Sequence, residues 1–346
     1  MNGNEIKVAQ IGCGYWGPNL LRNFSAQKDC QVKFVVEASA ERRAYVAANF
    51  PRSTPVDTID IVFDDPEITA VIIATPAASH FELTRAALTA GKHVFVEKPL
   101  ATSTQEADEL IRLAAERSLT LMAGHTFIYN AAVRYAKKLL DEGELGQLYY
   151  IYCQRLNLGQ VRSDVNAWWN LAPHDVSILL HLMNDELPVS VSATGVSYIQ
   201  RGIEDVVFAT LKWESGITAH IHVSWLDPGK VRKMTFVGSR KMVVYDDIGD
   251  HKIMVYDKGV DRVPKIGEQM DYDQFNNNYQ LIHRTGDVWL PRISFQEPLK
   301  VETAHFLDCL RNGTSPLTGP QHARDVVAVL EATQTALETG SATRIS

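Results

Sequence analysis

The sequence predicts two joined architectures: an α/β doubly wound parallel sheet over residues 1–124, then an α+β domain over residues 125–346 built on a mostly antiparallel open sheet. Three observations lead there. Up to about residue 124, short apolar strands alternate with helices, the pattern of βαβ units. Beyond residue 125, strand follows strand across short turns such as Glu214-Ser215-Gly216 and Gly238-Ser239. The length of 346 residues also suits two domains at roughly 150 residues each.

Taken in order, Ile6 to Ile11 is a short apolar run that ends in glycines, and Pro18 to Ala26 reads as a helix. Val32 to Val36 is a β-branched strand, and Ser39 is placed to cap the helix from Ala40 to Asn49. Ala70 to Ala74 is wholly apolar, as a central parallel strand should be. The helix from Ala78 to Ala90 stops at Gly91, a common C-terminal punctuator. A strand from His93 to Val96, an amphipathic helix from Ser103 to Arg117 and a strand from Thr120 to Ala123 complete the first unit.

In the second unit a helix from Ala131 to Glu142 ends at Gly143. Strands are expected at Leu148–Arg155, Ser190–Val196, Asp205–Trp213, Thr218–Trp225, Arg232–Val237 and Lys241–Tyr245. One helix interrupts them at Pro173 to Met183, and two more close the chain at about Val301–Asn312 and Gln321–Thr339. Residues 258–298 are polar and lack periodicity, so they read as a long loop or a subunit-contact arm.

Composition narrows the function. Apolar residues make up 45% and charged residues 22%, the balance of an ordinary globular protein. The formal charge of −7 comes without a basic stripe, which argues against nucleic-acid binding. No apolar run reaches the length of a bilayer span, and the polar start is unlike a signal peptide, so a cytoplasmic protein is expected. Cys13, Cys30, Cys153 and Cys309 are scattered and form no C-x-x-C pair, so neither zinc nor a disulfide framework is expected. His220 and His222 alternate on one strand face but lack further ligands, so no metal is assigned.

The first chemical signal is Gly12-Cys13-Gly14-Tyr15-Trp16-Gly17, a G-x-G-x-x-G run between a strand and a helix. Gly12 permits the tight turn, Gly14 lets the backbone approach a pyrophosphate, and Gly17 allows close helix–strand packing. Tyr15 and Trp16 lie inside the same loop, and the helix that follows offers amide donors to phosphates. Glu37, twenty positions after Gly17, stands where a carboxylate accepts ribose hydroxyls and repels a 2′-phosphate, which favours NAD. Arg42 and Arg43 follow closely and read first as surface charges on the next helix, though an arginine there leaves NADP open as a second cofactor. Thr75 and Pro76 end the strand at Ala74, where such sheets bind ligands. His80 then either contacts the cofactor or is a solvent-satisfied histidine at a helix end.

The second signal is Glu97-Lys98-Pro99 at the carboxyl end of the His93–Val96 strand. A lysine there points into the crevice where a nicotinamide lies, and the bond before Pro99 is a candidate for the cis form. With this motif the chain resembles the Gfo/Idh/MocA oxidoreductases, the family of glucose-fructose oxidoreductase and inositol dehydrogenase. Residues 91–100 (GKHVFVEKPL) carry the most specific match. Ile73-Ala74-Thr75-Pro76 with His80, Tyr129-Asn130-Ala131-Ala132-Val133 and Gly143-Glu144-Leu145-Gly146 extend the likeness over nearly the whole chain. The family's D-x-x-x-H element corresponds here to Asn170 and His174. Asparagine replaces the usual aspartate, a departure shared with some members that oxidise nucleotide-linked sugars.

Oxidising a secondary alcohol with NAD moves a hydride to the nicotinamide and a proton to a base. On the residues alone His174 is assigned as general base, because an imidazole titrates near neutrality. Lys98 is assigned as an oxygen-orienting donor or proton relay, with the two roles exchangeable. Asn170, Arg155, Asn157 and Trp168 are expected to bind substrate, within a polar and aromatic stretch that also holds Arg162, Asn166 and Trp169. Arginines that fork onto a phosphate or carboxylate suggest an anionic sugar. The expected function is oxidation of a ring alcohol, perhaps at C3, of a nucleotide-linked hexose. An inositol or polyol dehydrogenase and a non-catalytic NAD-binding regulator are the alternatives. A homodimer or homotetramer formed through the C-terminal sheet is the expected assembly.

Overall fold

A computed structural model describes residues 5–264 and 279–345. The N-terminal unit runs β1 (Ile6–Ile11), α1 (Gly17–Ser25), β2 (Cys30–Val36), α2 (Ala40–Asn49), β3 (Thr54–Val56), α3 (Asp60–Phe63), β4 (Ala70–Ile73), α4 (His80–Thr89), β5 (His93–Glu97), α5 (Thr104–Glu116) and β6 (Leu121–Gly124). Its six strands lie in the order β3-β2-β1-β4-β5-β6 and every neighbouring pair is parallel. The strand order reverses between β1 and β4, and a crevice opens there at the carboxyl ends. All four residues of β4 are buried, which is why that strand reads as unbroken apolar sequence.

The second unit continues with α6 (Ala131–Asp141), β7 (Leu148–Leu158), α7 (Ala167–Leu182), β8 (Ser190–Val196), β9 (Val206–Lys212), β10 (Thr218–Ser224), β11 (Leu226–Gly238), β12 (Met242–Asp246), β13 (Ile253–Pro264), β14 (Tyr279–Trp289), α8 (Pro298–Asn312), α9 (Pro320–Thr339) and β15 (Thr343–Arg344). Nine strands form a sheet in the order β14-β13-β12-β11-β7-β10-β9-β8-β15. Among the described strands of this sheet only the β7–β10 pair is parallel. Helices cover one face, where Trp168, Trp225, Phe236 and Tyr245 are buried. The other face leaves Tyr150 and Phe208 exposed.

The last helices pack back onto the first unit. Phe306 and Leu307 of α8 share a buried cluster with Phe24 and Phe95, and Phe306 meets both rings edge-on. From α9, Ala323 and Val327 join the cluster that holds Val96 and Leu110.

Two expectations need correction. The stretch 258–298 is not an irregular loop, because β13 and β14 occupy much of it and pair antiparallel. The described side chains of β14, from Gln280 on, stay largely in solvent, so no apolar alternation marks the strand. Residues 265–278 of that stretch lie outside the described residues. The helix read as starting at Pro173 starts at Ala167. Asn166 caps it by accepting the Trp169 N–H at 3.1 Å, and Pro173 sits inside. A proline inside a helix forfeits one backbone hydrogen bond, and for that reason sequence reading treats it as a start.

Candidate active site

A cavity of about 1160 Å³ lies between the carboxyl ends of the parallel strands and helix α7. Its N-terminal wall is the glycine loop. Gly12 has φ +91°, and a Cβ there would stand 2.6 Å from the Ala74 carbonyl oxygen. A Cβ on Gly17 would stand 2.7 Å from the Gly12 oxygen, so α1 packs tightly on the turn. Gly14 has nothing within 4 Å of a built Cβ and leaves its backbone facing open space. This is the cradle a pyrophosphate needs. Tyr15, with 92% of its surface exposed, and Trp16 line the cavity beside it. Gln10, which sequence reading missed, braces the loop by donating to the carbonyls of Gly12 at 2.8 Å and Gly17 at 3.0 Å.

Glu37 stands at the end of β2. Its carboxylate accepts the N–H of Cys13 at 2.7 Å and of Ser39 at 2.9 Å, which ties the strand end to the glycine loop. Arg43 donates to the carbonyls of Glu37 and Ala38 and so belongs to the backbone. Arg42 stays exposed, and its charge reaches Cys13. Thr75 and Pro76 line the cavity beyond β4.

His80 differs from both expectations. It is buried, with Nδ1 2.7 Å from the Pro99 carbonyl oxygen and Nε2 2.9 Å from that of Thr75. It therefore braces the loops after β4 and β5 from behind and does not line the cavity. Burial pushes its pKa down, against the pull of the two carbonyls.

The bond between Lys98 and Pro99 is cis. Glu97 is buried and lines the cavity with Lys98. Burial pushes its carboxyl up to about 7, against the opposing field of Lys98. Gly124 opposite leaves room for it, since a Cβ there would meet Oε1 at 3.2 Å. Lys98 reaches across the crevice and donates to the Asn170 carbonyl oxygen at 3.2 Å. Burial lowers its pKa to about 8, against the pull of Glu97 and with help from Arg155 and Arg162.

Helix α7 brings Asn170 and His174 one turn apart on a single face, both lining the cavity. Asn170 Oδ1 accepts the Trp225 indole N–H at 3.1 Å. The His174 ring lies 4.9 Å from that of Phe127, and its Nδ1 has no hydrogen-bond partner among the described residues. Burial first, then the fields of Lys98, Arg155 and Arg232, hold His174 well below its usual pKa. Those surroundings disfavour the protonated imidazole.

Of the four residues expected to bind substrate, Asn170 and Asn157 line the cavity and two do not. Arg155 is buried and forks onto Asp175 at 2.8 and 3.0 Å. It points into the core beneath Phe127, whose ring lies 4.7 Å from the guanidinium. Trp168 is fully buried in the second core, while its neighbour Trp169 lines the cavity. Consecutive helix residues point about 100° apart, so one tryptophan faces inward and the other sideways. The cationic lining comes from Arg162, paired with Asp164, and from Arg232, 3.4 Å from Asp247. Sequence reading passed over Arg232, although it shares the inward parity of Met234 and Phe236 on β11. Among the described residues no group of three or more His, Cys, Asp or Glu side chains is placed to hold a metal. All four cysteines are free and buried. No described helix is long and apolar enough to cross a membrane.

The comparisons agree with this geometry. Residues 6–125 match the oxidoreductase family with an NAD-binding Rossmann fold named for GFO, IDH and MocA, and residues 133–244 match a C-terminal domain of the same family. A UDP-N-acetylglucosamine 3-dehydrogenase of Acidithiobacillus ferrooxidans is 31% identical over 76% of this chain and 80% of its own length. The solved structure of that enzyme superposes with a TM-score of 0.78 and 25% identity, covering 96% of this chain and 98% of the other. A scyllo-inositol 2-dehydrogenase (NADP(+)) of Bacillus subtilis is 28% identical over 68% of this chain, but only 63% of its own length is matched. These matches, in line with the glycine cradle, the Glu97-Lys98 pair and the paired domains, make this chain a member of the Gfo/Idh/MocA family of oxidoreductases, with an NAD-binding Rossmann domain.

Proposed function

We propose that the chain is an NAD-dependent dehydrogenase that oxidises a ring secondary alcohol, at C3 of a nucleotide-linked or otherwise anionic hexose. One observation carries the reading: Lys98 and His174 line a single cavity together with the guanidiniums of Arg162 and Arg232. The similarity to a UDP-N-acetylglucosamine 3-dehydrogenase supports the substrate class.

Gly12, Gly14 and Gly17 with the start of α1 hold the pyrophosphate, and Glu37 takes the adenosine ribose. Tyr15, Trp16, Thr75, Pro76 and Glu97 flank the rest of the dinucleotide, and His80 fixes the loops beneath it. When bound, NAD supplies the two-electron acceptor. The environments favour exchanging the two roles read from sequence. A lysine held near pKa 8 accepts the hydroxyl proton close to neutral pH. A histidine kept neutral offers one donor and one acceptor to orient that hydroxyl. Asn170, its oxygen engaged by Trp225, offers its amide to the sugar, and Asn157 and Trp169 add polar and aromatic contacts. The guanidiniums receive the anionic part of the substrate.

Assays of NAD reduction with UDP- and TDP-hexoses, free hexoses and myo-inositol test the reading. Turnover confined to nucleotide sugars supports it. Turnover of myo-inositol alone would replace it with the polyol alternative, which the inositol dehydrogenase likeness favours. The exposed Arg42 makes NADP the second cofactor to assay. The open sheet face with Tyr150 and Phe208 supports a homodimer or homotetramer, which light scattering of the wild type and of Phe208→Glu would measure.

A further inference from the structure

One wall of the cavity is built around a polar side chain that the reaction does not use. Asn166, the cap of α7, lines the cavity although only 7% of its surface is exposed. It stands one turn before Asn170, and Asn170 one turn before His174, so the three share a face of α7. Four residues of helical rise put Asn166 about 6 Å from Asn170, beyond the ring that Lys98 and His174 address. Asn166 Oδ1 accepts the Trp169 N–H, and its Nδ2 donates to Glu204 Oε2 at 2.8 Å and to Gln334 Oε1 at 2.9 Å. Gln334 Nε2 donates in turn to Glu338 Oε1 at 3.0 Å. The Ala167 N–H holds the Glu204 carbonyl at 2.9 Å. Gly195 leaves room for the Glu204 stem, since a Cβ there would stand 2.7 Å from Glu204 Cγ.

Both amide hydrogens of Asn166 are engaged inside this network. The groups left for a ligand are acceptors: Glu204 Oε1 and Glu338 Oε2 have no hydrogen-bond or ion-pair partner among the described residues. Trp169 lines the cavity beside them. Glu331, on the same face of α9, shows the contrast. Its carboxylate accepts the Thr104 N–H at 3.1 Å and the Thr104 hydroxyl at 2.6 Å, and it does not line the cavity. Free carboxylate oxygens beside an aromatic face take hydroxyl donors and repel phosphate. A cation stands at the same end. Gln200, four residues before Glu204, donates to the carbonyl of Arg162, four residues before Asn166, at 2.7 Å.

We infer that Glu204 and Glu338, held by Asn166 and Gln334, form a subsite for the vicinal hydroxyls of a second ring joined to the sugar being oxidised. That ring is the ribose of a nucleoside diphosphate or a second pyranose; the subsite rests on the dehydrogenase reading and narrows its substrate class. A vicinal diol forks onto a carboxylate as a ribose does onto the acidic residue of a dinucleotide site. Arg162 takes the phosphates where the linker carries them. The reacting ring then lies between Lys98 and His174, and the second ring lies against Trp169 with its hydroxyls on the two carboxylates.

The test compares wild type, Glu204→Gln and Glu338→Gln. Glutamine keeps the side-chain length and an oxygen for the Asn166 or Gln334 amide, and it removes the charge. Two substrate pairs are measured: a UDP-hexose against the same hexose on 2′-deoxy-UDP, and a disaccharide against the methyl glycoside of its reacting sugar. We expect KM in the wild type to be about 10- to 100-fold lower for the first member of one pair. That ratio should fall below about threefold in either variant, whereas a packing defect would raise both KM values and leave the ratio standing. A preference within the nucleotide pair assigns the diol to ribose, and one within the glycoside pair assigns it to a second pyranose. Glu338 is exposed, so Glu338→Gln decides if Glu204→Gln fails to fold. Ratios near one in the wild type, or ratios unchanged in the variants, would overturn the subsite and leave the dehydrogenase reading standing. A wild type that oxidises no sugar would end that reading instead, and the same ratios taken as affinities by calorimetric titration of the NADH-loaded protein would still decide the subsite.

Discussion

Restoring a carboxylate at position 170 should move the pH dependence of this protein upward. Lys98 Nζ already touches the Asn170 backbone at 3.2 Å, and the Asn170 side chain is held by Trp225 at 3.1 Å, a contact aspartate also accepts. Asn170→Asp therefore adds a negative charge at a side-chain length from the ammonium, about 5 Å. With an effective dielectric of about 20–40, Coulomb's law gives roughly 1.7–3.3 kcal/mol, or about 1.2–2.4 pKa units. The charge favours protonated Lys98, so the amine appears only at higher pH. The wild-type rise in kcat/KM should centre near the Lys98 value of about 8. In the variant it should centre at about 9 to 10, with activity at pH 7.5 down roughly ten- to two-hundredfold. The assay is the pH profile of kcat/KM for the best sugar, with dinucleotide affinity followed by tryptophan quenching. An unmoved limb would refute Lys98 as the titrating base. A wild type that binds dinucleotide but turns over nothing, made active by Asn170→Asp, would refute the dehydrogenase itself and favour the regulator.

Further outcomes follow from the same geometry. Lys98→Ala should lower kcat by about 10²- to 10⁴-fold with dinucleotide binding retained, measured by steady-state kinetics and fluorescence titration; unchanged turnover would defeat the assignment. Glu37→Ala removes the carboxylate that repels a 2′-phosphate while exposed Arg42 remains, so the preference for NAD over NADP should fall at least about tenfold in paired kcat/KM measurements. Trp168→Ala opens the second core and should cost about 3–5 kcal/mol in denaturant unfolding. Trp169→Ala, facing the cavity, should instead raise KM for the sugar with a smaller loss of stability.

Much of this molecule was legible because its first half obeys strong local rules. The apolar runs ending in Gly12, Ala74 and Glu97 mark strand ends, and residues just beyond parallel strand ends converge on one crevice. The second half was harder, since its side chains are sorted by partners far away in sequence. Ile151, Cys153 and Arg155 share one parity on β7, so an inward arginine could be read there. Its partner Asp175 lies on a helix whose true start the internal Pro173 concealed. Without that start, sequence reading names Trp168 as the substrate contact, whereas Trp169 lines the cavity. Beyond Val255 no described side chain of the β13–β14 hairpin is buried, so that part offers no alternation to detect.

The return of α8 has a consequence for inheritance. Because Phe306 completes the aromatic trio begun by Phe24 and Phe95, the nucleotide-binding half carries a piece of the chain's far end in its own interior. A fragment cut after Gly124 would bare that cluster to water. The two halves therefore cannot be traded between proteins as separate modules, and a new substrate half must arrive with a tail that fits the old nucleotide half.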